Sequence, residues 1–401
     1  MPFADQRQME ASQRQVSVGR SSSLFANGLL SRAFSYMLQV SLPLIVVYYS
    51  MLAPQLVGLS MLALWTSGGL AAILVAYTKS RRLLTASLVA MPIASLLGAP
   101  GGIFLPISFT LLYFLVSVVS SYLMPLSFVA GRARGTASYT AGISAGLLLG
   151  VLFQLAAASS PRYYLYVPIS FALSLAVALL FPRGLALGER RNARDTLAGI
   201  LGPLMKEELH EMLSINVLSS AIWPLMTIYA EVFAIKVIGL SASLAIIGVL
   251  LAAATSLLSR VLLSFIGLER RPTLYFSIAA ASLGVITLSI SSGVVQYYVA
   301  TALIGLGHGL QMPLIYAATF ESSQGREMES YAMLNATMGA GEFLASSVGT
   351  ALIALVGFRL GFDVFLALVI GIAVLMTVII RRGSPHWSRV IDSWASPLRQ
   401  T

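Results

Sequence analysis

Apolar residues fill this chain in runs of about twenty, broken by short polar or Pro/Gly-marked stretches, and that pattern predicts helices long enough to cross a bilayer. Twelve runs can be laid out, over 24–51, 55–77, 82–98, 103–130, 136–158, 163–181, 212–236, 241–266, 272–291, 294–319, 329–357 and 360–380. The breaks carry Ala53-Pro54, Pro100-Gly101-Gly102 and Gly131-Arg132-Ala133-Arg134-Gly135. Only residues 182–211 form a longer, charged link. The expected organisation is an N-terminal tail over 1–23, a six-helix bundle over 24–181, the link over 182–211, a second six-helix bundle over 212–380 and a tail over 381–401. The expected fold class is an all-α membrane protein with twelve transmembrane helices in two pseudo-symmetric bundles.

The two halves also resemble each other. Pro43, Leu44, Tyr48, Gly58, Leu59 and Ser60 recur, 181 positions on and without a gap, as Pro224, Leu225, Tyr229, Gly239, Leu240 and Ser241. Met124-Pro125-Leu126 recurs as Met312-Pro313-Leu314. Two similar helical halves are a mark of transporters, whose site lies where the repeats meet.

Composition supports a membrane setting. The 401 residues are 57% hydrophobic and 10% charged, against roughly 25% charged in a soluble domain. There is no cysteine, so disulfides and thiolate metal sites are excluded. Three histidines, one of them in an apolar run, argue against a histidine metal site. The segment after Arg20 is too long for a signal-peptide core and reads as a retained helix.

Charge placement predicts orientation, because cytoplasmic loops carry the excess of Lys and Arg. Lys79, Arg81, Arg82, Arg132, Arg134, Arg183, Arg190, Arg191, Arg194, Lys206, Arg270, Arg271, Arg326, Arg381 and Arg382 fall at alternate breaks, whereas the other breaks hold Arg162, Lys236 and Arg359. Arg32 and Arg260 lie inside spans. Both termini are then expected in the cytoplasm, in a multi-pass protein of the cell membrane. Lipid headgroups account for the net charge of +10 without a nucleic-acid partner. In the tail, Trp387, Val390, Ile391, Trp394 and Leu398 share one helical face, as in a helix lying in the membrane interface.

Several of these features together resemble the major facilitator superfamily, over about residues 24–380. Gly305-Leu306-Gly307-His308-Gly309 followed by Pro313 is similar to that family's tenth helix, and Tyr229 to Ser241 to the exit of its seventh. Lys79-Ser80-Arg81-Arg82 resembles its signature loop after the second helix, with Tyr77 standing where the family has Asp and Ser80 where it has Gly. The resemblance implies a secondary transporter working by alternating access, with Arg81 and Arg82 as a cytoplasmic gate. Two signatures of proton-driven drug exporters are absent: an Arg midway along the fourth helix, and a Gly-Pro pair late in the fifth. The fifth helix shows Gly142, Gly146 and Gly150 instead, a spacing for close helix packing.

Ionisable residues inside spans are the best pointers to a site, since each is costly in hydrocarbon. No acidic residue lies between Glu10 and Glu189, so a coupling carboxylate must come from the second half. Glu342 lies about 20 Å along the eleventh helix, near the midplane, on one face with Tyr331, Asn335, Met338 and Ser346. It is either a proton-coupling group or a packing hydrogen-bond partner. Glu231 shares a face of the seventh helix with Asn216, Ser220, Trp223 and Thr227; it either serves the site or pairs with Lys236. Pro224 is expected to kink that helix. His308, with Gln311 one turn on, either shares a proton with a carboxylate or joins helices by a hydrogen bond. Arg32, on one face with Tyr36, Gln39 and Pro43, either contacts an anionic group or snorkels to the headgroups.

The candidate substrate-binding set is therefore Tyr36, Gln39, Asn216, Ser220, Trp223, Gln311, Tyr331 and Asn335. The proton-coupling set is Glu342, Glu231 and His308. The mixture suggests a neutral, amphipathic or weakly charged organic solute. No cofactor is expected, no enzyme motif is present, and a monomer in the bilayer is the expected state. Coupling to protons or to another ion stays open, as do an uncoupled facilitator and a transport-dead receptor on the same fold.

Overall fold

The computed structural model describes residues 23, 25–42, 45–46, 56–158, 165–181, 192–266, 270–323 and 325–395, with side chains at all of these but 56–58, 129–138, 140–141, 157–158, 205, 207–208, 264–266 and 381–395. Among the described residues every regular element is helical. Among the described residues eight helices are long and apolar enough to cross a membrane, and two shorter apolar stretches, Gly142–Ala156 and Tyr166–Leu180, accompany them.

The first half holds α1 (25–42), α2 (Leu56–Thr78), α3 (Arg81–Leu96), α4 (Phe104–Ala158) and α5 (Tyr166–Leu180). The helical backbone of α4 runs through Gly131–Gly135, where the sequence suggested a loop. It is not one straight rod. Gln39 Nε2 donates to Tyr113 Oη at 2.6 Å, and Gln154 Nε2 donates to the Val40 carbonyl at 2.9 Å. Residues 113 and 154 thus sit beside adjacent residues of α1, whereas a straight helix would hold them roughly 60 Å apart. The chain reverses within α4, which makes two antiparallel limbs, Phe104–Phe128 and Gly142–Ala156. These limbs correspond to the fourth and fifth predicted spans.

The second limb packs on α1 through its glycines. A Cβ added at Gly142, Gly146 or Gly150 would lie 2.3, 2.4 or 2.9 Å from the carbonyl oxygens of Phe25, Leu29 and Ala33. Each step of four residues on one helix meets a step of four on the other, so the pair runs parallel with backbones touching.

The link itself holds α6 (Ala193–Leu201), and α7 (Glu207–Pro224) begins at its end; α8 (Ala242–Ile266), α9 (Arg270–Ile290), α10 (Val294–Glu321), α11 (Glu327–Phe343) and α12 (Phe358–Ala395) follow. The helix α6 was not foreseen; Asn192 caps it by accepting from the Asp195 N–H at 2.8 Å. At Pro224 the α-helix gives way to a π-helical segment, Leu225–Ala230, and a second follows at Ala234–Ile238. Proline has no N–H to give the preceding turn, and the wider π turn takes up the misfit. The backbone of α12 stays helical to Ala395, but the interfacial face proposed for Trp387 to Leu398 lies outside the described side chains.

The halves meet along two seams. The helix α2 lies against α11, and α4 lies against α8. One core cluster of buried residues includes side chains of both halves.

Candidate functional site

Between the halves lies a cavity of about 110 Å³. That is room for several waters or part of a small solute. Helical periodicity builds its walls. Arg32, Ser35 and Gln39 come from one face of α1, and Tyr331, Asn335, Met338 and Glu342 from one face of α11. Trp65, Tyr113, Tyr139, Trp223 and Tyr316 make it largely aromatic, with Arg260 from α8 and His308 from α10.

The charged groups are sparsely partnered. The Arg32 guanidinium stands 5.6 Å from the centre of the Tyr36 ring, and its Nε is buried without a hydrogen bond. Arg260 donates from Nη1 to Ser144 Oγ at 3.1 Å, again with a buried Nε that has no partner. Glu342 lines the cavity and feels the charge of Arg32; among the described residues none donates to its carboxylate. His308 contacts Ser219 Oγ through Nδ1 at 3.3 Å and stacks on Trp223 at 4.0 Å and 18°.

Of the residues expected in the site from sequence, Arg32, Gln39, Ser220, Trp223, His308, Tyr331, Asn335 and Glu342 line the cavity. Four others lie behind its wall. Tyr36 is fully buried and packs on Trp223 at 6.0 Å. Asn216 staples α7 to α11, donating to the Leu334 carbonyl at 3.0 Å and Thr337 Oγ1 at 2.7 Å. Gln311 is buried with neither amide atom bonded. Glu231 is 2% exposed and accepts from Gln154 Nε2 at 3.2 and 3.3 Å, while Lys236 is exposed. The alternative pairing of Glu231 with Lys236 is thereby replaced by a contact between halves. A shared helical face says nothing about depth in a bundle.

Sequence reasoning missed Arg260, Trp65 and Tyr113 as site residues. Arg260 had the same signal as Arg32, a charge inside an apolar run. The aromatic residues had none, because aromatics are common throughout the spans.

Each end of the cavity is bridged by different contacts. At the end with the basic loops, Lys79 Nζ pairs with Glu329 Oε1 at 2.9 Å, with side chains only 5% and 1% exposed. Lys79 ends α2 in a left-handed conformation, φ 43°, with its N–H on the Val75 carbonyl at 2.9 Å. That is a helix cap usually left to glycine. Phe128 and Phe320 stack beside this pair of halves at 5.5 Å, and Tyr316 and Tyr331 stack on Phe320 at 6.2 and 6.4 Å. Arg81 and Arg82, assigned the gate from sequence, are exposed in the first turn of α3. Among the described residues an inter-half ion pair is made two residues earlier, by Lys79. At the opposite end Gln154 and Glu231 join α4 to the helical turn that follows the π segment after α7.

No family model matches the chain, and no curated protein matches its sequence. Solved structures do match. A crystal structure of a POT family transporter in complex with a thioalcohol-conjugated peptide is similar with a TM-score of 0.69 at 12% identity, over 91% of this chain and 96% of that one. A POT family transporter in complex with 5-aminolevulinic acid gives 0.68 at 11% identity over the same shares. At this identity the likeness establishes the fold alone: the chain shares the all-helical membrane fold of those transporters.

Proposed function

We propose that this chain is a secondary transporter that moves a small organic solute across the cell membrane by alternating access, and that it is not an enzyme. The observation that carries the reading is a polar cavity walled by both halves, with separate bridges above and below it. Breaking one bridge at a time would open the cavity to one side at a time. The halves over 24–181 and 212–380 are the two moving bodies, and 182–211 ties them. The basic end faces the cytoplasm, where anionic lipid favours Lys and Arg. Coupling to protons would fall to Glu342, with Glu231 and His308 as the other candidates. Small organic molecules in complex with the similar POT family structures agree with a solute of this scale.

The test needs no known solute. The chain has no cysteine of its own. A single Asn335→Cys or Ser220→Cys, both on the cavity wall, should react with an impermeant thiol reagent from either side of sealed vesicles. Reaction from one side only, in every condition, would remove alternating access and leave a receptor.

A further inference from the structure

We infer that the cavity is an anion site, in which Arg32 of the first half and Arg260 of the second together take the carboxylate or phosphate oxygens of an organic solute whose apolar body lies on the aromatic wall. This rests on the reading of the cavity as the transport site, and it narrows the neutral, amphipathic or weakly charged solute suggested by the sequence stripes to an anionic one.

The charge balance is the first argument. Two guanidiniums line the cavity against one carboxylate, that of Glu342. The first half cannot supply another acid, because none lies between Glu10 and Glu189. In the second half Glu231 is buried behind the wall and Asp363 is exposed on α12. Arg32 and Arg260 are close enough to feel each other's charge, and like charges repel more strongly in a low-dielectric site than in water. An oxyanion between them reverses that interaction, and the planar guanidinium fork fits its oxygens in pairs.

The second argument is the supply of donors. Arg32 Nε, Arg260 Nε, Trp65 Nε1 and Trp223 Nε1 are all buried without a hydrogen-bond partner. All four belong to residues on the cavity wall. Buried donors are normally satisfied. A wall with an excess of donors calls for a ligand rich in acceptors, and the indole faces of Trp65 and Trp223 offer apolar surface beside them.

The test is thermal unfolding of the full chain in detergent with four aromatic probes of similar size: benzoate, phenyl phosphate, benzamide and benzylamine. At saturation at least one of the two anions should raise the midpoint by about 2–4 °C. Benzamide and benzylamine should not. Whichever anion acts more strongly separates a carboxylate from a phosphate solute. Arg32→Gln and Arg260→Gln should each abolish the shift. Arg260→Lys, which keeps the charge and loses the fork, serves if the Gln variant does not fold, and should weaken the shift. Stabilisation by neither anion, equal stabilisation by benzamide, or a shift that survives the Arg substitutions would overturn the anion site. Two-sided labelling of Asn335→Cys alongside any of those results would leave the transporter reading standing, whereas one-sided labelling with anion binding would remove the transporter reading alone.

Discussion

Glu329→Gln should open the cavity toward the basic end. In the wild type Lys79 and Glu329 are 2.9 Å apart and nearly inaccessible to solvent. Removing the carboxylate charge strands a buried ammonium, and breaking such a pair typically costs about 3–5 kcal/mol. The protein can escape that cost by parting the halves at this end, so that Lys79 reaches water. If about 3 kcal/mol goes into opening, the open-to-closed ratio rises roughly a hundredfold. The assay is the rate at which Asn335→Cys reacts with an impermeant maleimide added from the basic side, with the unfolding midpoint measured in parallel. A rise approaching two orders of magnitude is expected. Lys79→Met with Glu329→Leu should return the rate toward wild type, since an apolar pair leaves no stranded charge. An unchanged labelling rate in folded Glu329→Gln would refute the gate. A fall in midpoint without faster labelling would mean that the pair only holds the fold.

Glu342→Gln removes the carboxylate that faces the cavity; wild-type labelling of Asn335→Cys should vary with pH and the variant's should not, and a surviving pH response would shift attention to Glu231 and His308. Gly146→Leu drives a side chain into α1, where even a Cβ would stand 2.4 Å from the Leu29 carbonyl; overpacking of this kind costs about 1–3 kcal/mol, seen as a lower midpoint in detergent, and an unaltered midpoint would contradict the α1–α4 contact. For orientation, Ile103→Cys is a better reporter than a cysteine at Gly101, whose φ of 72° suits glycine; it should react from outside intact cells, and Arg271→Cys only after permeabilisation, with the reverse pattern sinking the cytoplasmic assignment of the basic end.

Hydropathy alone determined that this chain is a membrane protein and roughly where its helices run, because insertion into lipid is decided locally, by about twenty residues at a time. The internal match at Pro43 and Pro224 pointed to two related halves. The faces of α1 and α11 were also legible, since a 3.6-residue period places Arg32 with Gln39 and Tyr331 with Glu342 whatever surrounds them. Tertiary structure decided which turns of those faces reach the cavity. Asn216 and Ser220 are one turn apart on α7, yet Asn216 bonds to α11 and Ser220 lines the site. It also decided the partners. Glu231 met Gln154, not Lys236, and Glu329 met Lys79, 250 positions away. Contacts across that separation are set by how two bundles dock, and docking depends on surfaces assembled from many helices at once. The juxtaposition of Arg32 with Arg260 belongs to the same class: each charge was visible in its own span, but only packing put both on one cavity.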